Sequence, residues 1–520
     1  MVLRRAALFL LAVTLAVPAD AEPDAARLYL EHCAACHGQD RLGSTGPALI
    51  PEALVRVRKE AAIGVVTGGR VATQMPGFKD KLTGEQISAL AAYIYSPLAD
   101  VPRWGAAEIE ASRVVHHRSE PLQKPKFDAD PLNLFVVVET GDHHVTVLDG
   151  DKLSPIERFP TRFALHGGPK FTPDGRFVFF ASRDGWVSKY DLWSLQLVAE
   201  VRAGVNTRNI ALSKDGRHVA VANYLPHTLV LLSAEDLSIE RIMDVADRSG
   251  QTSRVSAVYQ NPVRNSFIAA LKDVPEIWEI STDPNAPPVY GSFVHSRQPG
   301  LEEGVPESEG GLFARRRIAL DEPLDDFYFD PSYISILGAS RDGGRAVVVD
   351  LDVGKAIAAV PLPGMPHLGS GIAWDWQGRK VMATPHLKEG KLSIIELDKW
   401  QVVATVETGG PGFFLRSHEK TPYAWADAMM GGAAKDTMHL IDKQTLKVAH
   451  TLRPAPGKTA AHVEFDRYGR HALVSIWEKE GALVVYDAAT LAEVKRIPMS
   501  KPSGKYNVYN KITFSEGTSH

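Results

Sequence analysis

The chain has 520 residues, with 58 basic and 62 acidic side chains and two cysteines. That length exceeds what one hydrophobic core organises, so at least two structural units are expected. Near-neutral charge without a basic run excludes a nucleic-acid-binding protein, and two cysteines exclude both a disulfide framework and a four-cysteine zinc site.

Residues 1–21 carry Arg4 and Arg5, then an apolar run from Ala6 to Val17, then the small-x-small site Ala19-Asp20-Ala21. This is the pattern of a cleaved secretory signal peptide, and the run is shorter than the ~20 apolar residues a membrane helix needs. No later segment approaches that length. The expectation is an exported, periplasmic protein without a membrane span.

Residues 22–100 read as a small all-α domain. Ala25 to His32 is a short helix, and Thr83-Gly84-Glu85-Gln86 caps a second one running to Tyr95, with Ile87, Leu90, Ala91 and Ile94 at helical spacing. The first helix leads into Cys33-Ala34-Ala35-Cys36-His37. Two thiols at this spacing can add to the two vinyl groups of one haem, and the adjacent histidine can ligate its iron. A redox Cys-x-x-Cys is the alternative, and His37 followed by Gly38 weighs against it. One covalent haem c is therefore expected. Gln74-Met75-Pro76-Gly77-Phe78 resembles the second ligand segment of class I c-type cytochromes, which makes Met75 the expected sixth ligand; plain core packing is the other reading of that methionine.

Residues 101–132, rich in proline, charge and histidine, read as a linker. From 133 to 520 the chain is a repeat. Pro173-Asp-Gly-Arg-Phe-Val-Phe-Phe, Lys214-Asp-Gly-Arg-His-Val-Ala-Val, Trp376-Gln-Gly-Arg-Lys-Val-Met-Ala and Arg467-Tyr-Gly-Arg-His-Ala-Leu-Val share one plan, a turn followed by a β-rich strand. Strand starts near residues 135, 177, 218, 266, 334, 380, 422 and 471 give eight units, and the spacing predicts an all-β eight-bladed β-propeller. The acidic stretch Glu302-Glu303 to Glu309 reads as a solvated loop.

His166, His367, His386, His418 and His462 fall at junctions between these strands, where a propeller turns residues towards its axis. Singly, each is an ordinary polar residue. Together they mark a site.

An N-terminal haem c domain followed by such a propeller resembles the cytochrome cd1 family. The resemblance is carried by Ser182-Arg183-Asp184-Gly185, Tyr190-Asp191-Leu192-Trp193, Thr384-Pro385-His386, Trp477 with Ala482-Leu483-Val484-Val485, and Gly504-Lys505-Tyr506-Asn507. It implies that the propeller holds haem d1 or its dihydro precursor, with His166 as proximal iron ligand, His367 and His386 on the distal side, and Arg208 and Arg254 clamping the tetrapyrrole carboxylates. Arginine suits that task through its planar fork.

This architecture serves two activities, so the site must decide between them. One is reduction of nitrite to nitric oxide. The other is oxidation of dihydro-haem d1, converting a propionate to an acrylate and sending electrons to haem c. Eleven residues, Glu22 to His32, between the expected cleavage site and Cys33, His462 where reductases carry glutamine, and the ending Asn510 to His520 favour the dehydrogenase. The pair His367 and His386 favours the reductase. A carrier that hands over haem d1 without chemistry is a third reading, against which the haem c domain counts. Acrylate formation needs a base beside the side chain, and His418 is expected in that role with His462 or Tyr509 assisting. Expected partners are the tetrapyrrole substrate, a periplasmic electron acceptor and transient contact with nitrite reductase or other proteins that handle haem d1.

Overall fold

The computed structural model describes residues 23–43, 46–54, 57–69, 75–99, 103–118, 121–293, 304–308, 310–339 and 344–518. The signal-peptide reading of residues 1–21 lies outside them, as do Gln74, Glu302, Glu303, Glu309 and the last two residues.

The N-terminal domain is a cluster of short helices. Ala25–His32 runs into the one-turn helix Ala34–His37, and Gly84–Ile94 packs against both Ala25–His32 and Lys59–Gly68. Thr83 caps the last helix reciprocally: its hydroxyl accepts from the Gln86 amide at 3.2 Å while the Gln86 side chain accepts from the Thr83 amide at 2.9 Å. Leu28, Tyr29, Val66, Phe78, Ile87, Leu90 and Ile94 form the core, with Met75 packed on its edge. Helical spacing put Ile87, Leu90, Ala91 and Ile94 on one face, and all four are buried.

Among the described residues of 133–518, eight four-strand layers of antiparallel sheet follow one another as propeller blades, one of them extended by a fifth strand from upstream. The strand starts expected from sequence are the second strand of each blade, beginning with Leu134–Glu139, Phe177–Ala181 and His218–Leu225. The recurrent turns before them place Gly175, Gly216, Gly378 and Gly469 at φ of 71°, 73°, 76° and 69°. Side chains rarely adopt that conformation, which is why the repeat carries glycine there. The ring closes by pairing the C-terminal strand Pro502–Asn507 with Leu134–Glu139, so the closing blade has its innermost strand from one end of the domain and the other three from the opposite end.

The segment 101–132 is not bare chain. It carries the helix Ala106–Ser112, whose Ile109 is fully buried against the second and third blades, and Val114–Val115, which adds to the outer edge of Gln196–Arg202. The acidic stretch also departs from a plain loop: Gly304–Ser308 pairs with Val289–Phe293 as a hairpin inserted before the outer strand of its blade. No helix among the described residues is long and apolar enough to cross a membrane.

Candidate functional site

His37 is buried at 7% exposure. Its Nδ1 donates to the Pro47 carbonyl at 2.8 Å, which leaves the Nε2 lone pair free. Gly46 lies so close that a Cβ there would come within 2.8 Å of the ring. Cys33 and Cys36 are free thiols one helical turn apart. Burial pushes the Cys33 thiol up to about 11, opposite to the lowered value of an activated thiolate. A fixed imidazole tautomer beside two free thiols, with Met75 in the same core, suits a covalent haem.

In each blade the innermost strand runs down the axis, so residues before it and at its start lie at one end and residues after it at the other. His166 precedes the inner strand Lys170–Phe171, Arg208 opens Asn206–Leu212, Arg254 precedes Val255–Asn261, His367 precedes Ile372–Trp376, and His462 lies early in Ala460–Phe465. These five share one end of the axis.

His166 donates from Nδ1 to the Arg208 carbonyl at 2.8 Å, and Arg208 Nη1 lies 3.2 Å from Nε2. Gly167 and Gly168, at φ of 85° and 70°, carry the chain past Asn209 and Tyr506 and hold the imidazole there. Burial works against the Arg208 charge, but Tyr224, Asp326 and Tyr259 around it keep the guanidinium firmly protonated. Arg254 is already matched: it pairs through two nitrogens with Asp273, so an incoming carboxylate would compete with that acid.

His367 donates from Nδ1 to the Phe413 carbonyl at 2.8 Å and packs tilted against the Phe413 ring, centroids 4.0 Å apart. Burial, and the Arg208 and Arg416 cations, lower its pKa against the opposing pull of Asp326. His386 differs. It is fully buried, donates from Nδ1 to the Pro363 carbonyl at 2.5 Å and accepts at Nε2 from the Ser393 hydroxyl at 2.9 Å. Both nitrogens are already hydrogen-bonded, one to the segment leading into its blade and one to the next strand, which sets His386 apart from His367 in the expected distal pair.

His462 is the least ordinary of the histidines. It sits at φ 44° on a bulge, at 0% exposure, and neither ring nitrogen has a hydrogen-bond partner. Bulges re-aim a side chain, and a non-glycine residue in this conformation costs ~1–3 kcal/mol that its surroundings must sustain. Here Asp427 accepts from the His462 amide at 3.1 Å and from the Phe413 amide at 2.8 Å, tying two blades together. The buried Lys505 ammonium donates to the His462 carbonyl at 2.5 Å and to Ser475 Oγ at 2.8 Å. The ring stands 4.6 Å from Phe414 and 5.3 Å from Tyr506. Burial, then the cations Lys505 and Arg416, hold its pKa well below the usual histidine value.

His418 and Tyr509 are not brought into this site. His418 follows the inner strand Leu415–Arg416 and lies at the opposite end of the axis, packed under Gly469 and Phe465. Its Nδ1 accepts from the Lys420 amide at 3.1 Å, so the ring is a structural acceptor rather than the expected base. Tyr509, in the helix Val508–Thr513 beyond the closing strand, stacks with the Arg467 guanidinium at 4.6 Å. Sequence reading assigned no role to Arg416, Lys505, Tyr506, Asp427 or Asp326. The available signal was a buried cation in an inner strand, at Leu415-Arg416 and at Gly504-Lys505-Tyr506.

The two domains touch beside this end of the axis. Arg202 Nη2 donates to the Leu42 carbonyl at 2.5 Å and Nη1 to Gly43 at 3.3 Å, while Nε donates to the Asp184 carbonyl at 2.8 Å. Gly43 in turn donates to the His37 carbonyl at 2.8 Å. Ala48 and Ile50 pack with Val205 and Leu225 beneath this contact.

The chain matches the family described as Cytochrome D1 heme domain over residues 129–295 and 306–511, and the family described as Cytochrome C oxidase, cbb3-type, subunit III over residues 20–94. It is 54% identical to the dihydro-heme d1 dehydrogenase of Pseudomonas aeruginosa over 494 residues, 95% of each chain. It is 25% identical to the nitrite reductase of Stutzerimonas stutzeri, over 94% of this chain and 92% of that one. A solved structure of dihydro-heme d1 dehydrogenase NirN in complex with DHE superposes with a TM-score of 0.85, covering 94% of this chain and 99% of the other.

Proposed function

Because the chain belongs to the Cytochrome D1 heme domain family, we propose that it is the periplasmic enzyme that oxidises dihydro-haem d1 to haem d1, turning one propionate into an acrylate and sending the electrons to its own haem c. The observation that carries the choice within the family is His462, a neutral buried imidazole with both nitrogens unpartnered at the substrate end of the axis. Its relationship to a dehydrogenase at 54% identity supports the same reading.

The reaction removes two hydrogens from adjacent propionate carbons, as two protons and two electrons. Cys33 and Cys36 would attach haem c, with His37 and Met75 as its ligands; it would take the two electrons one at a time, passing the first to a periplasmic acceptor before receiving the second, and the second proton would leave to solvent. His166 offers Nε2 to the substrate iron once Arg208 swings aside, and Arg208 then meets a substrate carboxylate. His462 takes a proton from the propionate: its ring is neutral, its lone pair is not spent on the protein, and Asp427 and Lys505 fix its backbone so that it cannot retreat. Phe413, Phe414 and Tyr506 wall the same space and exclude water. His367 presents Nε2 from the neighbouring loop and orients the carboxylate.

The nitrite reductase reading asks for two imidazoles that can both give protons to nitrite oxygens, and His386 has neither nitrogen free. The spectrum of the purified protein tests the assignment. Haem c alone, with haem d1 absorption appearing only on mixing with precursor and leaving with the released product, is expected. A tightly held haem d1 in every preparation would contradict it.

A further inference from the structure

We infer that the far end of the propeller axis, opposite the tetrapyrrole site, holds a second binding site for a small amphipathic carboxylate, with Lys170 as its anion anchor. A cavity of about 390 Å³ lies there, between the inner strands of three blades and the C-terminal helix Val508–Thr513. That is at the small end of the roughly 300–1,000 Å³ typical of ligand pockets.

Its lining is one-sided in charge. Among the described residues Lys170, Lys214 and Lys511 line it, and no aspartate or glutamate does. Lys214 is exposed at the mouth, whereas Lys170 is half-buried, its ammonium 5.9 Å from the Tyr259 ring centroid. The charged group that acts on Lys170 is Arg416, a second cation; together with burial it pushes the lysine down to about 8. The nearest acid in effect, Glu464, acts on Lys511 and Arg416 instead. A withdrawn cation without an acid is costly unless an anion completes it. The rest of the wall is apolar, from Phe171, Pro173, Pro262, Ile512 and Phe514. An anionic head on Lys170 with a short apolar body along the prolines and Phe514 satisfies both halves of the lining.

The site is displaced along the axis from the proposed catalytic one: Lys170 comes four residues after His166, and on the next inner strand Arg208 and Leu212, also four residues apart, stand about 13 Å apart at ~3.3 Å per residue, with Tyr259 and Arg416 the groups that both sites feel. Tyr259 lies between the two ends, its hydroxyl donating to Asp326 at 2.9 Å on the substrate side.

Isothermal titration of the haem-c-loaded full chain with octanoate, and with octanol as the uncharged control, tests this. Octanoate should bind in preference to octanol. Lys170→Met should weaken octanoate about tenfold or more, the scale of one charge-assisted contact, while Lys170→Arg keeps it. Dihydro-haem d1 binding should be the same in all three proteins, which also shows that each variant is folded. No octanoate binding at millimolar concentration, equal binding by wild type and Lys170→Met, or displacement of octanoate by dihydro-haem d1 would each overturn the inference.

Discussion

The Nδ1 of His166 and the carbonyl oxygen of Arg208 stand 2.8 Å apart. A carbonyl can only accept, so the proton sits on Nδ1 and Nε2 is the acceptor, facing Arg208 Nη1 at 3.2 Å. His37 makes the same bond to Pro47, also at 2.8 Å. One histidine in each domain thus carries the tautomer that a metal ligand needs, set by a backbone carbonyl rather than by another side chain.

Replacing His166 by alanine should abolish tight tetrapyrrole binding or change the spin state of the bound iron, whereas His367→Ala should leave binding largely intact. The comparison is a spectroscopic titration of each variant with dihydro-haem d1. Identical affinity and spectra for wild type and His166→Ala would remove that residue from the site.

His462→Gln should slow oxidation by ~10² to 10⁴, the usual loss for a general base, with little change in substrate affinity. His418→Ala should leave the rate constant near wild type and instead lower the melting temperature, because His418 is buried and serves as an acceptor at the far end of the axis. A His418 variant that folds normally yet loses turnover would reverse the two assignments.

The pH dependence follows from the sign of the His462 shift. A base works only unprotonated, and burial with Lys505 and Arg416 nearby lowers the pKa of this ring well below that of an ordinary histidine, about 6.5. The oxidation rate should therefore stay flat from neutral pH down through that value and fall only in more acid solution. Stability has the same sense: below that value the unfolded ring takes a proton that the folded ring refuses, so this contribution is lost as pH falls. A rate that halves near pH 6.5 would point to an ordinary, solvated histidine as the base.

Met75→Ala should remove any sulfur-to-iron charge-transfer band of haem c and lower its potential, since a thioether opposite histidine favours the reduced state. An unchanged spectrum would assign the sixth position to another residue, with His116 and His117 the candidates in the connecting segment.

Arg202→Ala removes the hydrogen bonds from the propeller to Leu42 and Gly43, beside the His37 loop. Reduction of haem c by bound substrate should slow, while substrate binding is unchanged. Equal rates in wild type and variant would mean that this contact does not set the approach of the two domains.

The repeat was legible because a propeller writes its second strand strongly: a glycine turn followed by a fully buried β-rich run, as at Gly216 and His218–Leu225. The helical capping box at Thr83 and the cysteine motif were equally local signals. The inner strands were weaker. Leu415–Arg416 is two residues long, and its polar content comes from facing the axis. Which end of the axis a residue occupies depends on strand direction, and a histidine two positions past an inner strand reads much like one just before it. That is how His418 was expected in the site. His462 was quoted for its chemistry, but its bulge comes from Asp427 and Lys505, which lie 35 and 43 residues away and are contributed by two other blades.

The most direct test is anaerobic mixing of the oxidised protein with dihydro-haem d1, following haem c reduction optically and the extracted tetrapyrrole by mass. The account predicts that haem c becomes reduced as the tetrapyrrole loses two hydrogens, with little turnover of nitrite. Precursor recovered unaltered, together with rapid conversion of nitrite to nitric oxide, would contradict it.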